Sequence, residues 1–512
     1  MLSDAGILND AAGAAFAASY AAKEPCLVSA RLIADLETPV SAFLKLSAGR
    51  QGRIFLLESV EGGAARGRYS MIGLDPDIFW RAFGERAEIN RNALTQKDAF
   101  SPCAAPPLDS LRALIAESRI EIAEDMPPMA AGVFGYLGYD MARQMESLAA
   151  PKPDPIGVPD AMMLRPTVMV VFDAVREEIF VVTPLRPAPG VPFRAAYERA
   201  LERIEAVTAT LEGPLAHESI AADAALAAFA PQSNTSESRF HEMVERAKDY
   251  VRAGDIFQVV LSQRFSAPFA LPAFALYRAL RRVNPSPFLC YLDFGPFQIV
   301  CSSPEILVRV RDGKVTIRPI AGTRWRGKTK AEDDALAKDL LGDEKECAEH
   351  LMLLDLGRND VGRVAKIGSV EVTEQFAIER YSHVMHIVSN VEGRLGPGRD
   401  VIDALCAGFP AGTVSGAPKV RAMEIIDELE TDKRGIYGGC IGYFGASGEM
   451  DTCIILRTSI VKDRVMHVQA GAGVVYDSDP AYEQRECVNK AQALFRAAEE
   501  AVRFASRTKR GQ

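Results

Sequence analysis

The residues that could do chemistry stand in two short runs. In Lys345-Glu346-Cys347-Ala348-Glu349-His350 two glutamates are three positions apart, so on a helix their carboxylates share one face. The spacing recurs in Glu483-Gln484-Arg485-Glu486, with Lys490 four residues beyond the last glutamate. Mg²⁺ takes one or two carboxylates and completes its shell with water and substrate oxygens, so one glutamate from each helix would make such a site. Either pair alone is the ordinary pattern of a solvated charged face. Their setting argues for more, because both lie beside segments dense in Gly, Thr and Ser that make poor surface helices.

Three glycine-rich turns could present backbone N–H groups to a carboxylate: Pro319-Ile320-Ala321-Gly322-Thr323, Gly412-Thr413-Val414-Ser415-Gly416-Ala417-Pro418-Lys419, and Ala470-Gly471-Ala472-Gly473. The second precedes an expected helix, whose N-terminus adds to its attraction for anions. None has the spacing of a nucleotide-binding loop, and each taken singly is an ordinary turn. The chain has six histidines, two of them in Tyr381-Ser382-His383-Val384-Met385-His386. His350, His383 and His386 could bind zinc in principle, but the lack of an H-E-x-x-H arrangement and the surplus of carboxylates favour a harder ion. The residues by themselves lead to a Mg²⁺ enzyme acting on a small carboxylate or phosphate.

The elements that must position these groups fall into three zones. Residues 27–212 alternate β-like runs with turns, including an expected hairpin of Val168–Phe172 with Ile179–Val182. The glycine-aromatic run Gly132–Asp140 suggests a strand approached closely by another backbone. Residues 213–237 are a compositional break, read as a linker with one short Ala-rich helix. Residues 238–505 begin with a helical repeat at Phe240, Val244, Ala247 and Val251, capped by Ser236 or Ser238 and ended by Gly254. Strands are expected at 257–265, 298–301, 306–310, 315–317, 440–444, 452–456 and 465–470. Helices are expected at 330–356, from Ala417-Pro418 through Leu429, and at 480–504. Interspersed strands and helices with hairpin turns indicate an α+β fold with largely antiparallel sheets.

Composition sets limits. With 48% hydrophobic and 25% charged residues in 512, the chain is an ordinary folded one. Its formal net charge of -9 makes it a poor general binder of nucleic acid or anionic membranes. The nine cysteines include no C-x-x-C pair and read as reduced thiols. The first 25 residues carry Asp4 and Asp10 without a basic start, and no run of 18 uncharged apolar residues follows, so a cytoplasmic location is expected.

From 319 onward the chain closely resembles the chorismate-utilising enzymes. The matching strings are Pro319 through Arg324, ECAEHLMLLDLGRND at 346–360, YSHVMHIVSNV at 381–391, PAGTVSGAPKVRAMEIIDELE at 410–430, YGGCIGYF at 437–444 and GAGVVYDSDPAYEQRECVNKA at 471–491. Within that family the resemblance is to the anthranilate-forming branch. Gln258 stands where isochorismate and salicylate synthases place a water-activating lysine, and Ala321 where aminodeoxychorismate synthases typically carry one. Leu56-Leu57-Glu58-Ser59 and Asn284-Pro285-Ser286-Pro287-Phe288 resemble the strings of a tryptophan feedback site.

The resemblance implies a catalytic domain of two packed, mainly antiparallel sheets flanked by helices, with an N-terminal β-rich regulatory region. It implies conversion of chorismate and ammonia to anthranilate and pyruvate. Glu349 and Glu486 would hold Mg²⁺, with Glu346 and Glu483 around them. Glu346 would be the general acid, and His386 and Thr413 would assist. Gly322, Thr323, Tyr437, Arg457, Lys490 and the Gly471, Ala472 and Gly473 amides would bind substrate. Ser59, Pro287, Phe288 and Leu289 would contact tryptophan as inhibitor. No glutaminase nucleophile string is evident, so a separate glutamine amidotransferase subunit is expected, in a heterotetramer of two large and two small subunits. The competing readings are aminodeoxychorismate synthase component I and a non-catalytic tryptophan-binding regulator.

Overall fold

The computed structural model describes residues 10–61, 65–215, 230–381 and 384–507. The Ala-rich helix expected between 213 and 237, and the candidate ligand His383, lie outside those residues. Among the described residues every strand pairing is antiparallel, and the ladders join 22 strands into one hydrogen-bonded network.

Side-chain alternation shows how the network is layered. On the strand Ile54–Glu61, Phe55 and Leu57 enter one apolar cluster while Ile54 and Leu56 enter another. Met169 and Val171 on Ala161–Asp173 join the first, and Val168 and Val170 the second. The first cluster is built from strands and their connecting loops alone, so it is the filling between two strand layers. The second adds Phe193–Glu212, Ala273–Val283 and Pro480–Arg507, which shield an outer face. This is the expected α+β arrangement of two packed layers flanked by helices. The described layers are parts of one continuous network rather than separate sheets.

The ladders cross between the sequence zones. Ile54–Glu61 pairs with Phe288–Asp293, and Gly132–Leu137 pairs with Cys440–Gly445. The latter ladder sets Gly135 opposite Gly442. A Cβ on Gly135 would collide with the Met162 carbonyl, and one on Gly442 with the Asp451 carbonyl. Both glycine-aromatic runs therefore exist because neighbouring backbones leave no room for side chains.

The helical stretch expected over 330–356 is two helices, Lys330–Gly342 and Glu344–Gly362. Asp343 separates them and caps the second, accepting from the amides of Lys345 and Glu346 at 3.1 and 3.2 Å. This break places Glu346 in a first helical turn. The hairpin of Ala161–Asp173 with Glu178–Leu185 forms as expected, as does the helix Glu237–Ala253 with Ser236 at its N-cap and Gly254 at φ 82°. Among the described residues all nine cysteines are free thiols, five of them buried. No described helix is long and apolar enough to cross a membrane.

Candidate active site

A cavity of about 220 Å³ opens among strands, turns and the helix Pro480–Arg507. Its wall takes Gly322 and Thr323 from the strand Ile320–Trp325 and His386 from Val384–Arg394. Thr413 comes from the 3-10 turn Gly412–Val414, Gly471 from Val465–Val474 and Lys490 from Pro480–Arg507. Loops supply Tyr437 and Arg457. The fold thus gathers around one space candidates that the sequence scatters from 322 to 490. Ala472 instead turns its side chain into the core, and Gly473 faces Gln258, whose Nε2 would lie 2.5 Å from a Cβ there.

The strand Val465–Val474 explains how backbone can serve as receptor. It pairs with Gln258–Pro268 along its whole length, but its other ladder, to Thr458–Lys462, stops at Val468. Gln469, Ala470 and Gly471, just past that stop, line the cavity along an edge without a described strand neighbour. On such an edge the backbone groups face side chains instead of a strand: Lys490 donates to the Gly471 carbonyl at 2.9 Å.

Arg457 adopts φ 46°, a left-handed conformation that costs a non-glycine residue about 1–3 kcal/mol. The Ser302 amide fixes this turn by donating to the Arg457 carbonyl at 3.2 Å. The guanidinium makes no hydrogen bond or ion pair with any described residue, although it is half-buried in the cavity wall. Burial pulls its pKa down, against the opposing pull of Glu305 and Tyr381. A cation held this way without a partner is a receptor for an anion.

Glu305 also lines the cavity and is 7% exposed. Burial pushes its carboxyl up to about 8, against the lowering effects of the Thr413 hydroxyl and Arg457. The Thr413 hydroxyl donates to its two oxygens at 3.3 and 3.2 Å. The sequence reading did not single out Glu305. Its signal was available as a lone charge between two apolar strands, in Cys301-Ser302-Ser303-Pro304-Glu305-Ile306-Leu307-Val308.

His386 Nδ1 lies 2.8 Å from the Gly322 carbonyl and 3.2 Å from the Thr323 hydroxyl. A carbonyl only accepts, so Nδ1 carries the proton and Nε2 keeps its lone pair. Burial lowers the imidazole pKa, which keeps the ring neutral near pH 7. Gly322 has φ 67° beside an irregularity in register between Ala321 and Arg324, a bend that aims this carbonyl.

None of the four glutamates lines the cavity itself, but Glu346 and Glu486 each lie against a residue of its wall, Gly322 and Lys490. Glu346 Oε2 would lie 3.1 Å from a Cβ on Gly322. Glu349 accepts from Gln258 Nε2 at 3.2 Å. Lys490 joins Glu486, at 2.6 Å, to the Gly471 carbonyl, at 2.9 Å. Lys345 lies 3.1 Å from Asp477, joining the start of one acidic helix to the residues just before the other. Burial, then repulsion from Glu349, raises the pKa of Glu346. Burial raises Glu483 to about 7, with Glu486 adding to the effect. Carboxylates that raise one another's proton affinity, on hard oxygen donors, fit a magnesium ion that would hold them together. Among the described residues the only trio of ligand atoms within 4.8 Å of one another is Cys290, Cys301 and Cys453. Those thiols are buried in the strand-lined core and do not suit a hard ion.

The expected effector residues also meet. Ser59 lies opposite Phe288 in one ladder, and Leu289 opposite Glu58. Glu58 is buried, accepts from Arg281 at 2.8 and 3.0 Å and accepts from the Tyr277 hydroxyl. One strand further on, Leu289 faces Ser302, whose amide holds the Arg457 turn.

This combination of fold and anion-receiving cavity has known relatives. The model of the chorismate binding enzyme family matches residues 59–496, and the chain belongs to that family. Within it, the chain groups with the anthranilate synthase component I enzymes. It is 58% identical over 497 residues to anthranilate synthase component 1 of Cereibacter sphaeroides, covering 97% of this chain and 99% of the relative. The Pseudomonas aeruginosa protein of that name is 46% identical over 474 residues, covering 92% and 94%. The crystal structure of anthranilate synthase component I from Streptococcus pneumoniae superposes with a TM-score of 0.74 at 38% identity, covering 91% and 99%. The menaquinone-specific isochorismate synthase of Escherichia coli shares the fold, with a TM-score of 0.69 at 20% identity over 93% and 95%.

Proposed function

We propose that this chorismate-utilising enzyme converts chorismate and ammonia to anthranilate and pyruvate, the first step of tryptophan biosynthesis. The observation that carries this reading is the unpaired Arg457 guanidinium, facing a cavity that also holds a protonated carboxyl and a neutral imidazole. Arg457, Tyr437 and the strand edge at Gly471 hold the enolpyruvyl carboxylate. Gly322 and Thr323 shape the wall against the ring. Glu349 and Glu486 would hold Mg²⁺, with Glu346 and Glu483 around it and Lys490 balancing charge. When bound, the ion supplies positive charge for the ring carboxylate.

The acid role assigned to Glu346 from sequence passes in this reading to Glu305. Burial and Glu349 raise the pKa of Glu346 against Arg324 at 3.6 Å, but Glu346 does not line the cavity, whereas Glu305 is buried in its wall and protonated at neutral pH. Glu305, steadied by Thr413, gives its proton to the C4 hydroxyl, which leaves as water while ammonia adds at C2. His386 Nε2 then takes the C2 proton, pyruvate departs and the ring becomes aromatic. Ala321 lines the cavity and offers no amine, and Gln258 bonds Glu349 instead of activating water. Both features suit amination followed by elimination.

Ammonia comes from a glutamine amidotransferase subunit, in a cytoplasmic heterotetramer of two large and two small subunits. Tryptophan inhibits by binding at Ser59 and Pro287-Phe288-Leu289. The test is purified chain with chorismate, Mg²⁺ and ammonium. Anthranilate fluorescence and pyruvate should appear in equal amounts. Aminated chorismate accumulating without pyruvate would favour aminodeoxychorismate synthesis, and tryptophan binding without turnover would favour a regulator.

A further inference from the structure

Behind Glu305 lies a second pocket, of about 30 Å³. Glu305 and Thr413 line both this pocket and the substrate cavity, so they form the partition between them. The far wall includes Asp360 and Gly357 from the helix Glu344–Gly362, and Arg318. Asp360 is 4% exposed; one oxygen accepts from Lys419 Nζ at 2.8 Å, and the other has no protein partner. The pocket is mostly apolar but has room for about two waters, and Glu305, Arg318, Thr413 and the unpartnered Asp360 oxygen give such water its polar contacts. Arg318, 27% exposed in its side chain, brings the pocket to the protein surface.

We propose that water held in this pocket by Asp360 returns protons to Glu305 from the side opposite the substrate, making Asp360 a positioning residue for the acid. The inference rests on Glu305 being the acid. In the first step the Glu305 proton goes to the C4 oxygen, which leaves as water. Nitrogen arrives as ammonia, becomes an ammonium on bonding C2, and sheds one proton on the cavity side. A pocket water gives a proton to the Glu305 carboxylate, takes one from the next water, and solvent near Arg318 resupplies it. One proton is released and one taken in, so Glu305 is recharged while the cavity is still filled.

The test is the double variant Asp360→Asn with Lys419→Met, which removes both buried charges and leaves neither unpaired. Single-turnover conversion of chorismate should stay within about twofold of the unaltered chain, while steady-state turnover falls about fivefold or more. Imidazolium, a small weak acid, should restore the steady-state rate. Gly357→Ala tests the pocket without touching either charge. Its methyl would lie 3.6 Å from Ile317 and Pro319, an ordinary contact, at a helical position that favours alanine. It should slow steady-state turnover in the same selective way. Full steady-state rates in both variants overturn the inference. So does an equal fall in single-turnover and steady-state rates without imidazolium rescue, which marks a merely structural ion pair. Glu305→Gln separates the two readings: if it retains normal single-turnover conversion, the acid assignment itself fails.

Discussion

Glu305→Gln is the sharpest perturbation of the chemistry, because glutamine keeps the shape and a hydrogen bond to Thr413 but carries no transferable proton. With a pKa of about 8, roughly nine-tenths of Glu305 is protonated at pH 7; at the ordinary 4.5 the fraction would be about 0.3%. Burial therefore raises the supply of acid about 300-fold before any rate is considered. General acids contribute about 10²–10⁴-fold, so kcat should fall by that factor while KM for chorismate stays within about twofold. The assay is anthranilate fluorescence with ammonium as nitrogen source and free ammonia held constant across pH. The unaltered chain should lose activity as pH rises through about 8, and the variant should lack that limb. Stability gives an independent check. The folded state holds a proton that the unfolded chain releases between pH 4.5 and about 8, so this group costs stability as pH rises across that window. The glutamine variant escapes the cost, and its melting temperature should gain on the parent from pH 4.5 to 8. A variant within about threefold of parental kcat, or one that keeps the basic limb, would refute the assignment.

Other substitutions separate binding, elimination and regulation. Arg457→Gln removes the unpaired cation and should raise KM for chorismate about 10²-fold, measured by initial rates; an unchanged KM would move the carboxylate receptor elsewhere. His386→Gln should slow pyruvate release about 10²-fold and let the aminated intermediate build up, detectable by mass spectrometry. In the unaltered chain the acid limb should lie below the ordinary histidine value of 6.5, because burial lowers the pKa and the neutral ring is the active form. Ser59→Ala should weaken tryptophan inhibition about tenfold with turnover nearly intact; unchanged inhibition would place the effector site away from the Ser59–Phe288 ladder.

Local patterns in the chain were enough for many elements. The helix capped by Ser236 and ended by Gly254, the hairpin around 173–178 and the strands flanking the glycine turns all follow from periodicity and turn chemistry within about a dozen residues. The cavity residues Gly322, His386, Thr413, Tyr437, Arg457, Gly471 and Lys490 were legible by resemblance. What was hidden depends on distant pairing. The glycine-aromatic run Gly132–Asp140 was legible as a closely approached strand, but only the ladder Gly135–Gly442 shows which backbone approaches it. Glu305 looked like a strand-end charge, because its burial arises from the separate elements that carry Thr413 and Arg457. The break at Asp343 was missed because a capping aspartate inside a helical pattern reads as one more polar surface residue.

The account depends on one cavity holding both carboxylates of a small dianion, and a crystal structure with Mg²⁺ and a chorismate analogue measures that directly. One carboxylate should sit on the Arg457 guanidinium and the Gly471 strand edge, and the ion should touch the other carboxylate together with Glu349 and Glu486. An analogue bound outside the space between Arg457 and His386, or an ion touching neither glutamate, would contradict it.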